Sequence, residues 1–199
     1  PNGVQITGEH LNLWREEPLK FRDKEPQNNQ ALVLGWKYPD SSRIDTPAVY
    51  SFIFRDTSIP LVSDSAQLLL TVAAGNPKDL LPERGKKKDK SAKPKDKKKD
   101  EAPVDFTLIL EDSLGNQATL VLSAVHPPLQ RLQTSFFKTE AQNKNMGDTW
   151  EPTWETLRIS LSAFQPDAGF DFSALRALRI RFDRSQQGIL YLDDVGFSE

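Results

Sequence analysis

Residues 154–197 read WETLRISLSAFQPDAGFDFSALRALRIRFDRSQQGILYLDDVGF, and they contain the clearest strand pattern in the chain. Apolar residues recur at every second position in three runs, Leu157/Ile159/Leu161, Leu178/Ile180/Phe182 and Ile189/Tyr191, the last of which continues to Val195. A period of two marks strands that turn one face to a core and the other to water. We therefore predict antiparallel sheets that pack on each other.

The preceding chain supplies enough further strands to cover those sheets. Candidate strands lie at 4–14, 31–38, 48–54, 64–74, 104–111 and 118–125. Turn residues separate them, and residues 112–116 (DSLGN) have the composition of a tight hairpin connection. The only helical signal is a single turn at 171–175, capped by Asp171 or Ser173. Nine or ten strands in 199 residues predict one all-β domain over 1–199, an antiparallel β-sandwich of the jelly-roll type.

A lysine-rich segment, 83–103, stands apart from this pattern. It holds 10 of the 26 Lys+Arg and 5 of the 28 Asp+Glu, which leaves 16 basic against 23 acidic residues elsewhere. Like charges at that density do not fold alone, so we predict a long disordered insertion loop within a hairpin of 64–74 and 104–111. The alternative is an electrostatic tether to an anionic surface.

Composition excludes several classes of function. Outside the lysine-rich segment the chain is acidic, which argues against a nucleic-acid surface. The chain has no cysteine, so disulfides and thiolate sites are excluded, and it has no apolar run of about 18 residues that could span a membrane. Because the chain begins at Pro1, we expect it to be a piece of a longer polypeptide.

Catalytic motifs are missing from the sequence. It contains no Gly-x-Ser-x-Gly, and its two histidines, His10 and His126, are interpreted as surface or strand-edge residues. Acidic residues are plentiful, but none lies in a distinctive motif for glycoside cleavage. We therefore predict a protein that is not an enzyme, although it can be attached to one.

Aromatic residues are the stronger functional candidates, because partly exposed rings stack on the C–H faces of sugars. Trp36 and Tyr38 share one face at the end of a strand, and Trp150 and Trp154 share parity around Pro152. Parity also places Trp154 opposite Leu157, which favours exposure. The alternative for each ring is a place in the core or in a domain interface.

Arginines form the second candidate set. We interpret Arg176, Arg179 and Arg181 as a polar stripe on the wet face of their strand. Guanidinium groups on one face can bind sugar hydroxyls or a uronate carboxylate. The alternative is a structural stripe that pairs with acidic neighbours and keeps the sheet soluble.

The tail as a whole resembles a known family. The segments 156–164 (TLRISLSAF), 171–182 (DFSALRALRIRF) and 188–197 (GILYLDDVGF) are similar to the closing strands of carbohydrate-binding-module-like, galactose-binding-like β-sandwiches. The resemblance implies an accessory domain of a larger secreted or surface bacterial protein, located outside the cell, at its surface or in the periplasm. It also implies a neighbouring domain in the same polypeptide.

Many members of that family bind a structural Ca²⁺ between an acid of the last strand and one near the N-terminus. The matching positions are Asp193 or Asp194 and Glu9. Calcium takes six to eight oxygen ligands, so backbone carbonyls would have to complete such a site. The alternative is that the two aspartates only end the strand.

These observations predict a non-catalytic domain that binds a polysaccharide. The candidate ligand-binding residues are Trp36, Tyr38, Trp150, Trp154, Arg179 and Arg181, and the candidate metal ligands are Glu9, Asp193 and Asp194. The alternative, from another class, is a structural or protein-interaction β-sandwich that binds no sugar and buries its aromatics.

Overall fold

The computed structural model describes residues 4–7, 11–18, 30–38, 47–54, 65–76, 103–133 and 150–198, and only the backbone of 4–7, 11–18, 30, 133 and 150. Its strands are β1 (Val4–Thr7), β2 (Leu11–Pro18), β3 (Gln30–Lys37), β4 (Ala48–Ile53), β5 (Gln67–Ala74), β6 (Thr107–Asp112), β7 (Gln117–Val121), β8 (Leu132–Gln133), β9 (Trp150–Glu151), β10 (Glu155–Ser160), β11 (Gln165–Pro166), β12 (Leu175–Phe182) and β13 (Gln187–Ser198). Short 3₁₀ turns occupy Leu122–Ala124, Leu161–Ala163 and Phe172–Ala174. These ranges contain no α-helix, and no helix within them could cross a membrane.

The strands form two sheets in which every neighbouring pair is antiparallel. The first sheet has six strands in the order β1-β4-β12-β6-β7-β11. The second has five in the order β10-β5-β13-β3-β2, and β8 and β9 make a separate ladder of two residues each. The prediction of an antiparallel β-sandwich of the jelly-roll type is confirmed.

The stretch 154–197 supplies a central strand to each sheet. Its middle run is β12, which lies between β4 and β6, and its last run is β13, which lies between β5 and β3. Its first run is β10, at the edge of the second sheet. A strand with a partner on each side has both rows of backbone groups satisfied, which explains why this stretch dominates the fold.

The inner faces of the two sheets share one core, and aromatic residues join them. Trp36 of β3 stacks on Phe182 of β12 with ring centroids 3.8 Å apart and an interplanar angle of 13°. Across the same gap, the Tyr50 hydroxyl donates to the Gly35 carbonyl oxygen at 2.8 Å. A Cβ at Gly188 would overlap the Trp36 indole, so only glycine fits there.

The local details partly follow the predictions. The hairpin at 112–116 joins β6 to β7, and Asp171 caps the turn at Phe172–Ala174 by accepting a hydrogen bond from the Ser173 N–H at 2.8 Å. The predicted hairpin of 64–74 and 104–111 is wrong, because β5 and β6 belong to different sheets and the connection crosses between them. Residues 83–102 lie outside the described residues, so the predicted disorder of this loop stays a prediction.

Candidate functional site

The outer face of the six-stranded sheet carries a set of ordered polar side chains. Residues of β12 that point away from the core alternate with Leu178 and Ile180, which belong to it. Strand register arranges this face in three rows, Val49–Arg181–Thr107–Val121, Ser51–Arg179–Ile109–Thr119 and Ile53–Ala177–Glu111–Gln117. Opposite residues in antiparallel strands lie close enough for their side chains to interact. We name this surface the arginine face.

Arg179 lies at the centre of the arginine face. Its Nη2 donates to Glu111 Oε2 on the neighbouring strand β6, in an ion pair. The Arg179 side chain is 32% exposed, whereas that of Glu111 is 10% exposed. The Arg179 Nε is buried without a hydrogen-bond partner. The pair therefore fixes the guanidinium in place while leaving part of it open to solvent.

Arg181 belongs to a second network on the same face. Its Nε donates to Asp183 Oδ2 at 2.9 Å, and the Thr107 hydroxyl donates to Asp183 Oδ1 at 2.8 Å. The Arg184 Nε lies 3.8 Å from Asp183 Oδ1. Asp183 thus accepts hydrogen bonds from side chains of β12 and β6 and holds Arg181, which is 35% exposed, in place within the first row.

The two networks place donors and acceptors side by side on a rigid support. Guanidinium groups only donate hydrogen bonds and ionised carboxylates only accept them, whereas a sugar hydroxyl does both. The half-buried aliphatic side chains of Val49, Ile53 and Val121 lie in the outer rows. The face can therefore offer both hydrogen bonds and apolar contacts to a polyol.

One end of the six-stranded sheet is fastened by Asp112. Its carboxylate accepts hydrogen bonds from the backbone N–H groups of Leu114, Asn116 and Asp171 and from the Asn116 side chain. Burial would raise the pKa of Asp112, but the side-chain and backbone hydrogen bonds from Asn116, with those from Asp171 and Leu114, lower it below its usual value. The carboxylate therefore holds the β6–β7 hairpin and the loop before β12 together.

The predicted exposure of Trp36 and Tyr38 is wrong. Trp36 is 0% exposed and Tyr38 is 5% exposed, and both belong to the core. The Trp36 indole N–H donates to the Ser185 carbonyl oxygen at 3.0 Å, and the Tyr38 hydroxyl donates to the Phe182 carbonyl oxygen at 2.6 Å. Burial raises the pKa of the Tyr38 hydroxyl. Rings held in this way cannot stack on a ligand outside the protein.

The two other predicted tryptophans have different outcomes. Trp154 is half-buried and contacts Tyr191, with ring centroids 6.3 Å apart. It precedes β10 and lies on the side of the sheet opposite the core residues Leu157 and Ile159, as its parity predicts. The side chain of Trp150 lies outside the described residues, so its predicted role in binding stays a prediction.

The arginine stripe has two members rather than three. Arg179 and Arg181 share the outer face, but Ala177 takes the third outer position of β12. Arg176 is exposed at a register irregularity between Leu175 and Ala177. Because its parity is opposite to that of Arg179, the prediction of a continuous stripe through Arg176 is wrong.

The predicted metal ligands are only partly described. Asp193 and Asp194 are both exposed and lie at a register irregularity of β13, between Leu192 and Val195, whereas Glu9 lies outside the described residues. Within the described part of the chain, no group of three or more histidine or acidic side chains could hold a metal ion. The described aspartates alone therefore do not make a calcium site, and calcium binding stays a prediction.

Sequence analysis missed Thr107 and Glu111, which belong to the arginine face, and Asp183, which lies just beyond β12 and binds Arg181. The signal was their position relative to β12, because alternation along β6 places Thr107 and Glu111 on the face opposite Leu108 and Leu110. Alternation along β6 predicts contacts with the arginines only when β6 is known to lie beside β12. Periodicity in the sequence does not reveal which strands are neighbours.

Comparison with solved structures identifies the same architecture elsewhere. The chain is similar to a family 30 carbohydrate binding module, with 12% identity, a TM-score of 0.55, and coverage of 100% of this chain and 92% of that one. A second crystal structure of a family 30 carbohydrate binding module gives 12% identity, a TM-score of 0.54, and coverage of 96% and 76%. An exo-beta-agarase gives 12% identity and a TM-score of 0.52, with 100% of this chain matching 23% of the agarase.

No protein-family model and no curated sequence matches the chain. At 12% identity the structural similarities establish the fold alone. They confirm the predicted likeness to carbohydrate-binding-module β-sandwiches.

Proposed function

We propose that this chain is a non-catalytic accessory domain that binds a polysaccharide on its arginine face. The domain would belong to a larger secreted or surface protein and would bring a neighbouring domain of the same polypeptide to the glycan. The observation that carries the proposal is the pair of half-exposed guanidinium groups, Arg179 and Arg181, each fixed by a carboxylate on a rigid sheet.

The charge balance of the face favours hydroxyl-rich ligands over strongly charged ones. Arg179 is neutralised by Glu111, and Arg181 shares Asp183 with Arg184. Guanidinium groups that already have an anionic partner retain free N–H donors but attract a further anion weakly. A neutral glycan that donates to the carboxylates and accepts from the guanidinium groups therefore fits this face better than a uronate chain.

The comparisons support this function in two ways. The two family 30 structures are described as carbohydrate binding modules, which supports a domain that binds without catalysis. The match to about a quarter of an exo-beta-agarase supports a place within a larger enzyme that acts on a polysaccharide. In this role the domain would act outside the cell, at its surface or in the periplasm.

The second candidate function is a structural or protein-interaction domain that binds no sugar. The burial of Trp36 and Tyr38 favours it, because two of the four predicted stacking rings belong to the core. In this case, the ion pairs of the arginine face would only keep the sheet soluble.

Affinity electrophoresis over a panel of soluble polysaccharides separates the two candidates. We expect at least one polysaccharide to retard the chain, and Arg179→Ala or Arg181→Ala to remove most of the retardation. A hydrogen bond to a charged group contributes about 1.5–3 kcal/mol, so the affinity should fall tenfold or more. Arg176→Ala is the matched control, since it removes an exposed arginine of the same strand that lies at the register irregularity, outside the three rows of this face.

Two further variants test how the site is built. Arg179→Lys keeps the charge but loses the planar fork, and should bind more weakly than the wild type. Glu111→Gln removes the anionic partner of Arg179 and should weaken binding with a smaller effect. Equal migration of the Arg179→Ala, Arg181→Ala and wild-type chains on every retarding glycan would refute the arginine face, and no retardation of the wild type would favour the second candidate.

A further inference from the structure

We propose a second glycan-contacting surface on the outer face of the five-stranded sheet, built on the aromatic pair Trp154 and Tyr191. It lies on the opposite side of the sandwich from the arginine face. We name it the aromatic platform.

Strand register brings the two rings together. Tyr191 of β13 lies opposite Ala73 of β5, and Glu155 of β10 lies opposite Val72. Continuing the same register by one residue places Trp154 beside Ala73 as well. The two rings therefore lie on either side of one alanine, with centroids 6.3 Å apart and planes inclined by 40°.

Small residues at the end of β5 and just after it form the floor beneath the platform. Ala73 is fully buried, and a Cβ added at Gly75 would lie 2.8 Å from Tyr191 Cε2. Tyr191 also packs against Ile189 and Val33, which form a separate apolar cluster on this face. The backbone of β5 and this cluster therefore support the tyrosine ring from beneath.

Polar groups border the rings. The hydroxyl oxygens of Thr71 and Thr156 lie 3.4 Å apart in the next row of the face. The exposed Asp193 and Asp194 lie at the irregularity of β13 beside Thr71, since Leu192 pairs with Val72 and Val195 pairs with Leu70. Hydroxyl and carboxylate groups at the edge of an aromatic pair can hydrogen-bond the equatorial hydroxyls of a sugar whose C–H face lies on the rings.

The geometry also indicates the form of the glycan. Rings inclined by 40° cannot both lie flat on one crystalline surface, but they can contact successive units of a single twisted chain. The adjacent aspartates repel uronate and sulfate groups. The platform therefore suits a soluble, neutral polysaccharide chain.

The two surfaces are separated by the core of the sandwich. Inner faces of packed sheets lie about 10 Å apart, so one sugar chain cannot contact both outer faces without passing around an edge. Each surface would bind its own segment of glycan, and one domain would then join two chains or two loops of one chain.

Isothermal titration calorimetry with defined oligosaccharides tests the platform. The probes are cellohexaose, agarohexaose, a mixed-linked β-glucan tetrasaccharide and, as an anionic comparison, an oligogalacturonide. The protein is the full chain, either unchanged or carrying Arg179→Ala together with Arg181→Ala to silence the arginine face. Trp154→Ala and Trp154→Phe are made in both backgrounds. Leu114→Ala, at the exposed tip of the β6–β7 hairpin, controls for the loss of apolar surface.

We expect the doubly substituted chain to keep one binding event per chain for a neutral probe. Trp154→Ala should weaken that event about tenfold, since an aromatic contact contributes up to about 1.5 kcal/mol. Trp154→Phe should keep part of the affinity because a ring remains, and Leu114→Ala should change nothing. The oligogalacturonide should bind more weakly than the neutral probes.

The outcomes separate this inference from the proposed function. Loss of all binding in the Arg179→Ala, Arg181→Ala chain would overturn the platform and leave the arginine face standing. Binding that is lost with Trp154→Ala and unaffected by the two arginine substitutions would support the platform and overturn the arginine face. If no probe binds the wild type, both are wrong.

Discussion

The outer faces of the two sheets differ sharply, although the strands that build them have the same alternation. On the six-stranded sheet, the outward positions of β12 are Arg179 and Arg181, paired with acidic residues and half-exposed. On the five-stranded sheet, the outward positions of β3 and β13 include Val33 and Ile189, which are almost completely buried. Both faces have buried residues at their centres, among them Ile109 and Ala177 on the six-stranded sheet, but only the six-stranded sheet presents ordered ion pairs there.

This difference shows that period-two alternation identifies a strand but does not always identify its core face. The run Ile189/Tyr191 was predicted to face the core and lies on the outer face, because Leu190 and Leu192 belong to the core instead. The contacts of an outward-facing side chain depend on the residues that lie opposite it on the adjacent strands. Arg179 meets Glu111, and Ile189 meets Val33 and Tyr191. A polar outward row indicates a surface available for ligands, whereas an apolar outward row contributes to stability and leaves the aromatic pair Trp154 and Tyr191 beside it for binding.

The largest effect should come from shortening an isoleucine on each face. Ile189→Ala removes a fully buried side chain and leaves a cavity, so we expect a loss of about 3 kcal/mol in the free energy of unfolding. Ile53→Ala makes the same chemical change at a half-buried position of the arginine face, and should cost about 1 kcal/mol. Urea unfolding of both variants measures the difference.

The Ile53→Ala variant is the matched control in that experiment. Equal destabilisation by the two substitutions would show that the border of the arginine face, at Ile53, is as tightly packed as the centre of the other face, and would remove this contrast. A larger loss of unfolding free energy for Ile53→Ala than for Ile189→Ala would reverse the contrast between the two faces.

A smaller effect is expected at Asp112, which lies next to Glu111 on β6 but does not belong to the arginine face. Its folded-state pKa is lowered, so its contribution to stability is present above the unfolded pKa of about 3.9 and is lost as the pH falls through the folded value. Asp112→Asn turns an acceptor into a donor towards Asn116 and Asp171. We expect the melting temperature of the Asp112→Asn variant to be about 3–8 °C lower than that of the wild type at pH 7.

The pH dependence provides the check on this assignment. The difference in melting temperature between wild type and Asp112→Asn should shrink as the pH falls below about 4, because the wild type then loses its own carboxylate. A difference that stays constant down to pH 2 would contradict the role of the charge. Retardation on a glycan that binds the wild type should be unchanged, since Asp112 lies off the face.

The sandwich could be predicted because the pattern of its central strands is visible within short segments of the sequence. The run that became β12 carries three apolar residues in strict alternation, and 189–192 in β13 are all apolar. The Asp171 cap and the 112–116 hairpin depend on neighbours within five residues. Each of these features is decided by contacts close along the chain. Sequence reasoning failed where a long-range choice decided the outcome, as with the placement of β5 and β6 in different sheets.

The candidate site was predicted less completely for the same reason. Trp36 and Tyr38 share a parity that is compatible with either face of β3, and only the position of Phe182 in the opposite sheet decides that both are buried. Arg179 and Arg181 were found because arginine in an alternating strand is visible locally. Glu111, which binds Arg179, lies on another strand, and Asp183, which binds Arg181, lies beyond the end of β12. The sequence around the two arginines therefore does not identify their acidic partners.

The smallest effect is expected from calcium, at the border of the aromatic platform. The family resemblance implies an ion held by Asp193 or Asp194 together with Glu9, and an irregularity of a strand can redirect the side chains it carries. Two carboxylates supply too few oxygens for Ca²⁺, so the site would depend on Glu9 and on carbonyl oxygens, and its affinity would be modest. Excess Ca²⁺ should then raise the melting temperature by about 2–4 °C over the value in chelator, because it binds only the folded chain. The double substitution Asp193→Asn, Asp194→Asn should abolish this rise in melting temperature. Coincident melting curves of the wild type in Ca²⁺ and in chelator would show that the two aspartates bind no calcium. Both carboxylates would then remain available to hydrogen-bond a sugar beside Trp154.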